Sequence, residues 1–324
     1  MRKFGRIVSY LILVIAFIVL MGFMAECESN KAVVDPDANK AVIGRLAELW
    51  NTGNLSIADE IFGADFVNHD PNYPEVTNLE SYKGHVAGIR TGFPDFHVTA
   101  EDLIAEGDKV AVRWIITATH QGELAGIPAT GIEVTWTGMT IWRFADGRLL
   151  EGWWAIDVLG LLQQLGVIPP MSDGPPPMQR TAPEDFVWSA LSKVTGNPGD
   201  PEKNKTILLR EELEGWAQGN VDVALEAISP NFVNHDPIWP RVTDYESYKQ
   251  WVKSELDAPL NVIVEELVGE EDKVAERWTI DLGGGITISG MSIHRFADGK
   301  IVERWWTKNV MDMLQKSGMI PPLG

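Results

Sequence analysis

Apolar and polar residues recur with two periodicities along this chain, first that of a helix and later that of a strand. Helical spacing predicts helices over residues 37–50, over 56–62 with Ser56 as its cap, and from a cap at Asn78 to Gly92. Alternating runs then predict strands over residues 96–105, 109–119, 133–144 and 149–156. Three helices followed by an antiparallel meander predict an α+β fold, in which a curved sheet wraps the helices and encloses a conical cavity.

The same order of segments occurs twice. Phe-Val-Asn-His-Asp-Pro at residues 66–71 recurs at 232–237, and Arg-Phe-Ala-Asp-Gly at 143–147 recurs at 295–299. The second copy is shorter, because it lacks the loop at residues 120–128 and has a Gly-Gly-Gly sequence at 283–285 that predicts a bare turn. The repeat predicts two domains, at residues 37–170 and 203–324, joined by a Pro- and Gly-rich linker at 171–202.

Residues 1–27 have the pattern of a signal or membrane anchor. Basic residues come first, an uncharged run at residues 7–25 follows, and acidic residues come after that run. As a helix the run is long enough to cross a bilayer, and the basic residues before it predict an N-terminus inside the cell and domains outside. Residues 28–36 would link this anchor to the first domain.

Cys27, the only cysteine, follows Met-Ala-Glu directly after the apolar run. This stretch resembles the lipobox of bacterial lipoproteins, although Glu26 stands where a small residue is usual. Three outcomes are therefore open: a lipoprotein lipidated at Cys27, an uncleaved single-span anchor, or a cleaved signal peptide. Each of them places both domains outside the cytoplasm.

Composition excludes several classes of function. The formal net charge is −19, which argues against a nucleic-acid partner because phosphate binding needs clustered Lys and Arg. A single cysteine leaves no intrachain disulfide. The sequence contains no cluster with the spacing of a metal site and no glycine-rich phosphate loop, so we expect no cofactor.

The order of short motifs resembles the SnoaL-like polyketide cyclase (ester cyclase) branch of the nuclear transport factor 2-like superfamily. The motifs are Asn-His-Asp-Pro at 68–71, Phe-Pro-Asp at 93–95, Thr-His-Gln-Gly at 119–122 and Phe-Ala-Asp-Gly at 144–147. This resemblance implies two tandem cone domains, each a curved antiparallel sheet wrapped on three helices. It also implies cofactor-free aldol cyclisation, in which a base removes a proton next to a carbonyl and a donor stabilises the enolate.

Both copies depart from the family at its acid–base residues. In the cyclases a His and an acidic residue lie two apart on the last strand and share one face. The corresponding positions here are Gly152 and Trp154 in the first copy, and Arg304 and Trp306 in the second. The expected pair is therefore missing from both copies.

Three residues remain as catalytic candidates, and each has a structural alternative. His69 would act as a base at the cavity mouth, unless Asn68 and Asp70 form an Asx turn and His69 packs locally. His120 would carry a proton from its loop, unless it is simply solvated. Asp157 ends the last strand and alternatively caps the helix that follows.

Several side chains are expected to contact a ligand. Aromatic rings that face the cavity would stack on a flat or apolar compound. The candidates are Tyr82, Trp114, Trp136 and Trp154 in the first copy, with His235 and Trp306 in the second.

Two hypotheses follow for the function. The first is a cyclase, dehydratase or isomerase that acts on a small apolar carbonyl compound. The second is a non-catalytic module that binds a hydrophobic ligand at the outer membrane surface. In both, the site belongs mainly to the first copy, and we expect the two copies to pack on each other as a pseudo-dimer.

The N-terminal pattern gives the first testable prediction. Protease added to intact spheroplasts should digest both domains, because the charge order around residues 7–25 places them outside the membrane. A cytoplasmic protein in the same cells serves as the protected control. Protection of the domains to the same extent as that control would contradict the predicted orientation.

Overall fold

The computed structural model describes residues 35–169, 196–256 and 258–320. The expected anchor, Cys27 and most of the expected linker lie outside this part of the chain. No helix within the described part is long and apolar enough to span a bilayer. The two domains belong to one compact unit that begins at Pro36.

The first domain consists of four helices and a five-stranded sheet. The helices are α1 (Pro36–Thr52), α2 (Ser56–Ile61), α3 (Leu79–Gly92) and α4 (Val158–Gln164). The strands are β1 (Phe62–His69), β2 (His97–Glu106), β3 (Lys109–Thr119), β4 (Glu133–Ala145) and β5 (Arg148–Ile156), in the spatial order β1-β5-β4-β3-β2. The predicted α+β class, helices and four-strand meander are confirmed.

Two local predictions are corrected. Residues 62–69 form β1, which runs parallel to β5, so the sheet is mixed and the Asn-His-Asp-Pro motif follows a strand instead of a helix. Ser56 is not a cap; the side chain of Asn54 accepts a hydrogen bond from the Ser56 amide at 3.3 Å. Asn78 caps α3 as predicted, in a reciprocal capping box with Ser81.

The second domain repeats this topology. Its helices are α5 (Pro201–Arg210), which continues into a π-helical turn (Glu211–Trp216), α6 (Val221–Glu226), α7 (Tyr245–Glu255) and α8 (Met311–Lys316). Its strands are β6 (Ile228–His235), β7 (Asn261–Glu270), β8 (Lys273–Asp281), β9 (Thr287–Ala297) and β10 (Lys300–Asn309), in the order β6-β10-β9-β8-β7. The predicted bare turn joins β8 to β9, and its three glycines all have positive φ.

The two sheets pack against each other through the faces that point away from their helices. An apolar cluster joins Ile104, Ala111, Met139, Ile141 and Ala155 of the first sheet to Val268, Ala275, Met291 and Ile293 of the second. Two cation–π contacts cross the interface reciprocally: Arg113 lies 4.8 Å from the Trp305 ring centroid, and Arg277 lies 5.0 Å from that of Trp153.

Carboxylates extend the reciprocal contacts to the sheet edges. Glu270 accepts a hydrogen bond from the Ala105 amide at 2.9 Å, and Glu106 accepts one from the Gly269 amide at 2.8 Å. Backbone donors at the ends of β2 and β7 are therefore satisfied by the other domain instead of being left at an open edge. These contacts between the two domains therefore occur in reciprocal pairs.

This interface gives a prediction for the isolated first domain. A fragment of residues 37–170 exposes the apolar cluster around Ile104, Met139 and Ile141, so it should form a homodimer or aggregate. Light scattering coupled to size-exclusion chromatography measures this, with the two-domain chain as the control. A stable, soluble monomeric fragment would show that the pairing of the two copies is dispensable.

Candidate functional site

A cavity opens inside the first domain between its sheet and helices α1 and α3. Its wall is apolar, and tryptophan and phenylalanine rings form a large part of it: Trp50, Phe93, Phe96, Trp114, Trp136, Trp142 and Trp154. A few polar side chains interrupt this wall: Asn68, Asp70, Tyr73, Tyr82, His85 and Thr140. An apolar cavity with a small number of polar groups is the usual form of a small-molecule site.

The strand β1 decides which residues of the Asn-His-Asp motif reach this cavity. Successive side chains of a strand point to opposite faces. Asn68 and Asp70 are buried and line the cavity, whereas the His69 side chain is 39% exposed and stacks on Trp153, with ring centroids 5.0 Å apart. His69 therefore does not lie at the cavity mouth, as its candidate role requires, because the pairing of β1 with β5 turns it to the other face.

His235 occupies the same place in the second domain. Its ring stacks on Trp305 at 5.2 Å, and its Nε2 lies 2.9 Å from Glu303 Oε1. Both histidines thus pack against a tryptophan of the neighbouring strand, on the face that lies towards the other domain. This arrangement matches the local-packing alternative for the motif.

Asp70 is the ionisable group that the motif places in the cavity. Its Oδ1 accepts hydrogen bonds from the Asn72 amide at 2.9 Å and from Asn72 Nδ2 at 3.1 Å, which gives the Asx turn expected before the proline. Burial raises the pKa of Asp70 to about 6, and the bonds from Asn72 oppose that rise. Near neutral pH the carboxylate is therefore a stronger base than an exposed aspartate.

Hydrogen-bond donors line the cavity together with Asp70. The Trp154 Nε1 donates to Asn68 Oδ1 at 2.7 Å, which fixes the orientation of the Asn68 amide group in the cavity wall. The Trp50 Nε1 donates to the Tyr82 hydroxyl at 2.9 Å, and burial raises the pKa of Tyr82 so that it keeps its own proton. Both groups are able to donate to a ligand oxygen.

Three of the aromatic ligand candidates fall where the sequence predicts them. Trp114, Trp136 and Trp154 all lie on strands and line the cavity. Trp114 is held by a hydrogen bond from its Nε1 to Thr140 Oγ1 at 2.9 Å. These rings form a rigid wall against which a flat ligand would stack.

His85 is a cavity residue that sequence reasoning missed. Its ring lies 4.2 Å from that of Tyr73 and 6.0 Å from that of Trp50. Burial lowers the pKa of His85 to about 4, so the imidazole is neutral near pH 7. Its position one helical turn after Tyr82 was the available signal, because both residues then share one face of α3.

His120 is fully buried, contrary to the solvated alternative. The Thr130 amide donates to its Nδ1 at 3.3 Å, which places the ring proton on Nε2, and that atom has no partner among the described residues. The loop around it is docked on α3, because the amides of Gln121 and Gly122 donate to the Gly92 carbonyl. Burial lowers the pKa of His120, and its ring packs on Phe93 outside the cavity lining.

Asp157 acts as a helix cap. Its Oδ1 accepts a hydrogen bond from the Gly160 amide at 2.9 Å at the start of α4. Burial raises the pKa of Asp157, but the side chain does not line the cavity. The structure therefore supports the capping alternative and does not bring Asp157 together with Asp70.

Comparisons with known proteins agree with this architecture in both halves of the chain. The family model for SnoaL-like polyketide cyclases matches residues 40–165, and the model for SnoaL-like domains matches residues 209–304. The chain belongs to the SnoaL-like polyketide cyclase family and carries two tandem copies of its domain.

Among individual relatives, the aklanonic acid methyl ester cyclase DauD of Streptomyces sp. (strain C5) is 26% identical over 146 residues, which cover 43% of this chain and 91% of DauD. The aklanonic acid methyl ester cyclase DnrD of Streptomyces peucetius is 25% identical over 136 residues, 41% of this chain and 94% of DnrD. IdmH of Streptomyces antibioticus, a solved structure, is 32% identical and covers 40% of this chain and 99% of its own, with a TM-score of 0.37.

In the first SnoaL-like domain, tryptophan side chains occupy the space that the acid–base pair of the family would need. A Cβ atom at Gly152 would lie 2.5 Å from the Trp142 ring, so no larger side chain fits there while Trp142 keeps its place. Trp154 packs edge-on to Trp142 at 5.2 Å and is tied to Asn68. These two positions therefore supply no acid–base pair to this cavity.

The second SnoaL-like domain carries a buried ionic network at the corresponding positions. Arg304 has no exposed side-chain surface; its Nε donates to His294 Nδ1 at 2.8 Å, and its Nη1 donates to the Tyr248 hydroxyl at 2.8 Å. Its Nη2 pairs with Glu211. Trp306, the expected ligand wall, packs against the Arg304 guanidinium at 5.0 Å.

The network fixes the tautomer of His294. Because Arg304 donates to Nδ1, the ring proton must lie on Nε2, which is 3.2 Å from Glu276 Oε2. Burial raises the pKa of Glu276 to about 7. The interior of the second domain thus contains a buried group of polar and charged side chains.

Asp70 gives a prediction about stability and pH. The folded state binds the Asp70 proton more tightly than the unfolded chain, so stability is lost as the pH rises from about 3.8 to about 6. Asp70→Asn should remove this loss, and its unfolding free energy relative to the parent should increase by about 3 kcal/mol over that range. Urea unfolding at a series of pH values measures the difference.

The matched control is Asp236→Asn in the second domain. Asp236 forms an ion pair with Lys308, so its replacement should lower stability instead of raising it. A constant difference between Asp70→Asn and the parent across the pH range would contradict the burial of an ionisable Asp70.

Proposed function

We propose that the first domain binds a small apolar carbonyl compound and removes a proton next to its carbonyl, with Asp70 as the base and without a cofactor. The observation that carries this proposal is a buried carboxyl, with its pKa raised to about 6, in the wall of an aromatic cavity. A general base works best when its pKa lies near the operating pH. The second domain, whose interior is filled by the Arg304 network, supports the first and does not share this chemistry.

The proton transfer uses groups that already line the cavity. The Asp70 carboxylate takes the α-proton, and the electrons of the C–H bond move into the carbonyl to form an enolate. The Asn68 amide group and the Tyr82 hydroxyl donate hydrogen bonds to the enolate oxygen. Enolate formation is the step that isomerisation, dehydration and aldol cyclisation share. Protonated Asp70 then returns the proton to carbon in an isomerisation or to the leaving oxygen in a dehydration. In an aldol cyclisation it protonates the alkoxide that forms when the enolate carbon attacks a second carbonyl carbon.

We place this activity outside the cytoplasm, at the membrane surface. The support is the order of basic, apolar and acidic residues in the first 37 residues, together with the position of Cys27. An apolar substrate partitions into membranes, so an anchored protein with an apolar cavity would meet it at the bilayer surface.

One observation favours the second candidate, a non-catalytic binding module. The family's acid–base positions are Gly152 and Trp154, and the Trp142 ring fills the space at the first of them. Under this alternative the cavity holds an apolar ligand by stacking, and Asp70 only orients it.

The experiment uses 2-tetralone, a small apolar bicyclic ketone, and follows exchange of its α-protons in D2O by proton NMR. The full chain should accelerate this exchange, and the rate should rise with pH through about 6, where Asp70 ionises. Asp70→Asn should lose about 100-fold or more of the acceleration, the usual contribution of a general base. Binding of 2-tetralone, measured by quenching of tryptophan fluorescence, should change little.

Asp236→Asn is the matched variant in the second domain and should exchange 2-tetralone at the parental rate. Binding by the parent without accelerated exchange would establish the binding-module alternative. Equal exchange by the parent and by Asp70→Asn would remove Asp70 from the role of base.

A further inference from the structure

Asn309, the last residue of β10 in the second domain, forms hydrogen bonds into the first domain. Its Oδ1 accepts from Asn72 Nδ2 and from the Ile156 amide, both at 3.1 Å. Its Nδ2 donates to the Trp154 carbonyl at 3.0 Å and to Ser289 Oγ at 3.1 Å. All four hydrogen-bonding positions of this amide are therefore used, in a side chain that is nearly buried.

Two of these bonds lead directly to the candidate site. Asn72 uses one hydrogen of its amide group for Asn309 Oδ1 and the other for Asp70 Oδ1, each at 3.1 Å. Trp154, whose carbonyl accepts from Asn309, forms the wall beside Asn68. One side chain of the second domain thus holds both the turn that carries Asp70 and the end of the strand that carries Trp154.

The arrangement is not reciprocal. The repeat places Asp157 of the first domain at the position of Asn309, and Asp157 caps its own helix. It also places Ile238 at the position of Asn72, so the second domain has no side-chain amide to receive such a contact. Whereas the apolar and ionic contacts of the interface occur in symmetric pairs, this one runs only from the second domain to the first. Asn and Asp are both common at a helix N-cap, so the residue types alone do not show that Asp157 and Asn309 have different roles. The difference is visible only in the three-dimensional structure.

We propose that Asn309 is a positioning residue for the site of the first domain, which it fixes by orienting Asn72 and, through it, the Asp70 carboxylate. This inference deepens the proposed function and rests on it. It gives the second domain a defined role, because the first site is incomplete without a side chain that only the second domain supplies.

The test measures the ionisation of Asp70 directly, without any substrate. Carbon-13 NMR of the full chain labelled at the aspartate carboxyls follows the titration, and the Asp70 signal is the one missing from Asp70→Asn. Asn309→Ala should move the midpoint of Asp70 upward by about half a pH unit or more, because Asn72 is then free to turn away from the carboxylate that it stabilises.

Two further variants distinguish a specific effect of Asn309 on Asp70 from a general loosening of the interface between the domains. Lys273→Ala breaks the ion pair between Lys273 and Asp102 across the same interface, and it should leave the midpoint of Asp70 unchanged. In a chain that already carries Asn72→Ala, adding Asn309→Ala should give no further shift, because the effect passes through Asn72. Asn309→Ser, which keeps a hydroxyl beside Ser289, replaces the alanine variant if that variant does not fold.

Three outcomes would overturn the inference: a folded Asn309 variant with an unchanged midpoint, an equal shift in Lys273→Ala, or a full additional shift in the Asn72→Ala chain. If the proposed function is also correct, the midpoint of the 2-tetralone exchange profile moves upward with the carboxyl titration. A shifted titration in a protein that never accelerates exchange would remove the proposed function but leave the positioning role of Asn309 intact.

Discussion

Both domains depend on one constraint, which is the parallel pairing of the first strand with the last strand of the same domain. These strands are β1 and β5 in the first domain, and β6 and β10 in the second. The pairing sets Asn68 opposite Gly152 and His69 opposite Trp153, and the second domain repeats the register with His235 opposite Trp305. Since side chains alternate along a strand, this register turns His69 away from the cavity and turns its neighbours Asn68 and Asp70 towards it. The outward histidine then packs on the tryptophan that an arginine of the other domain covers, so a single register serves the site and the interface together.

The two copies kept this backbone while their interiors diverged. Four interior positions show this: Leu46, Val112, Trp142 and Gly152 in the first domain correspond to Glu211, Glu276, His294 and Arg304 in the second. A buried arginine is tolerated only when acceptors surround it, and a buried acid is tolerated when it is paired or protonated. Introducing only the arginine or only one of the acids would therefore leave an unpaired charge in an apolar core.

The fold was largely predictable from the sequence, whereas the site was not. Helices α1 and α3 and strands β2 to β5 follow from local periodicity and caps such as Asn78. β1 was missed because Gly63, Ala64 and Asp65 break the alternation, and because the strand exists only through pairing with the distant β5. The direction of His69 depends on that pairing, and the basicity of Asp70 depends on burial by residues from several elements, so local sequence carries neither.

A buried carboxylate with a raised pKa is destabilising when it ionises, so the contacts that hold it are important for the first domain. Ionising Asp70 in the folded state costs about 3 kcal/mol, a considerable part of the net stability of a typical domain. Within the first domain, Asn72 donates two hydrogen bonds to the Asp70 carboxylate and partly offsets that cost. The second domain adds one more hydrogen bond to this turn, from Asn72 to Asn309. A duplicated domain can thus differ in its own interior and still contribute to the site of the other copy, because one of its side chains contacts the turn that holds the ionisable group.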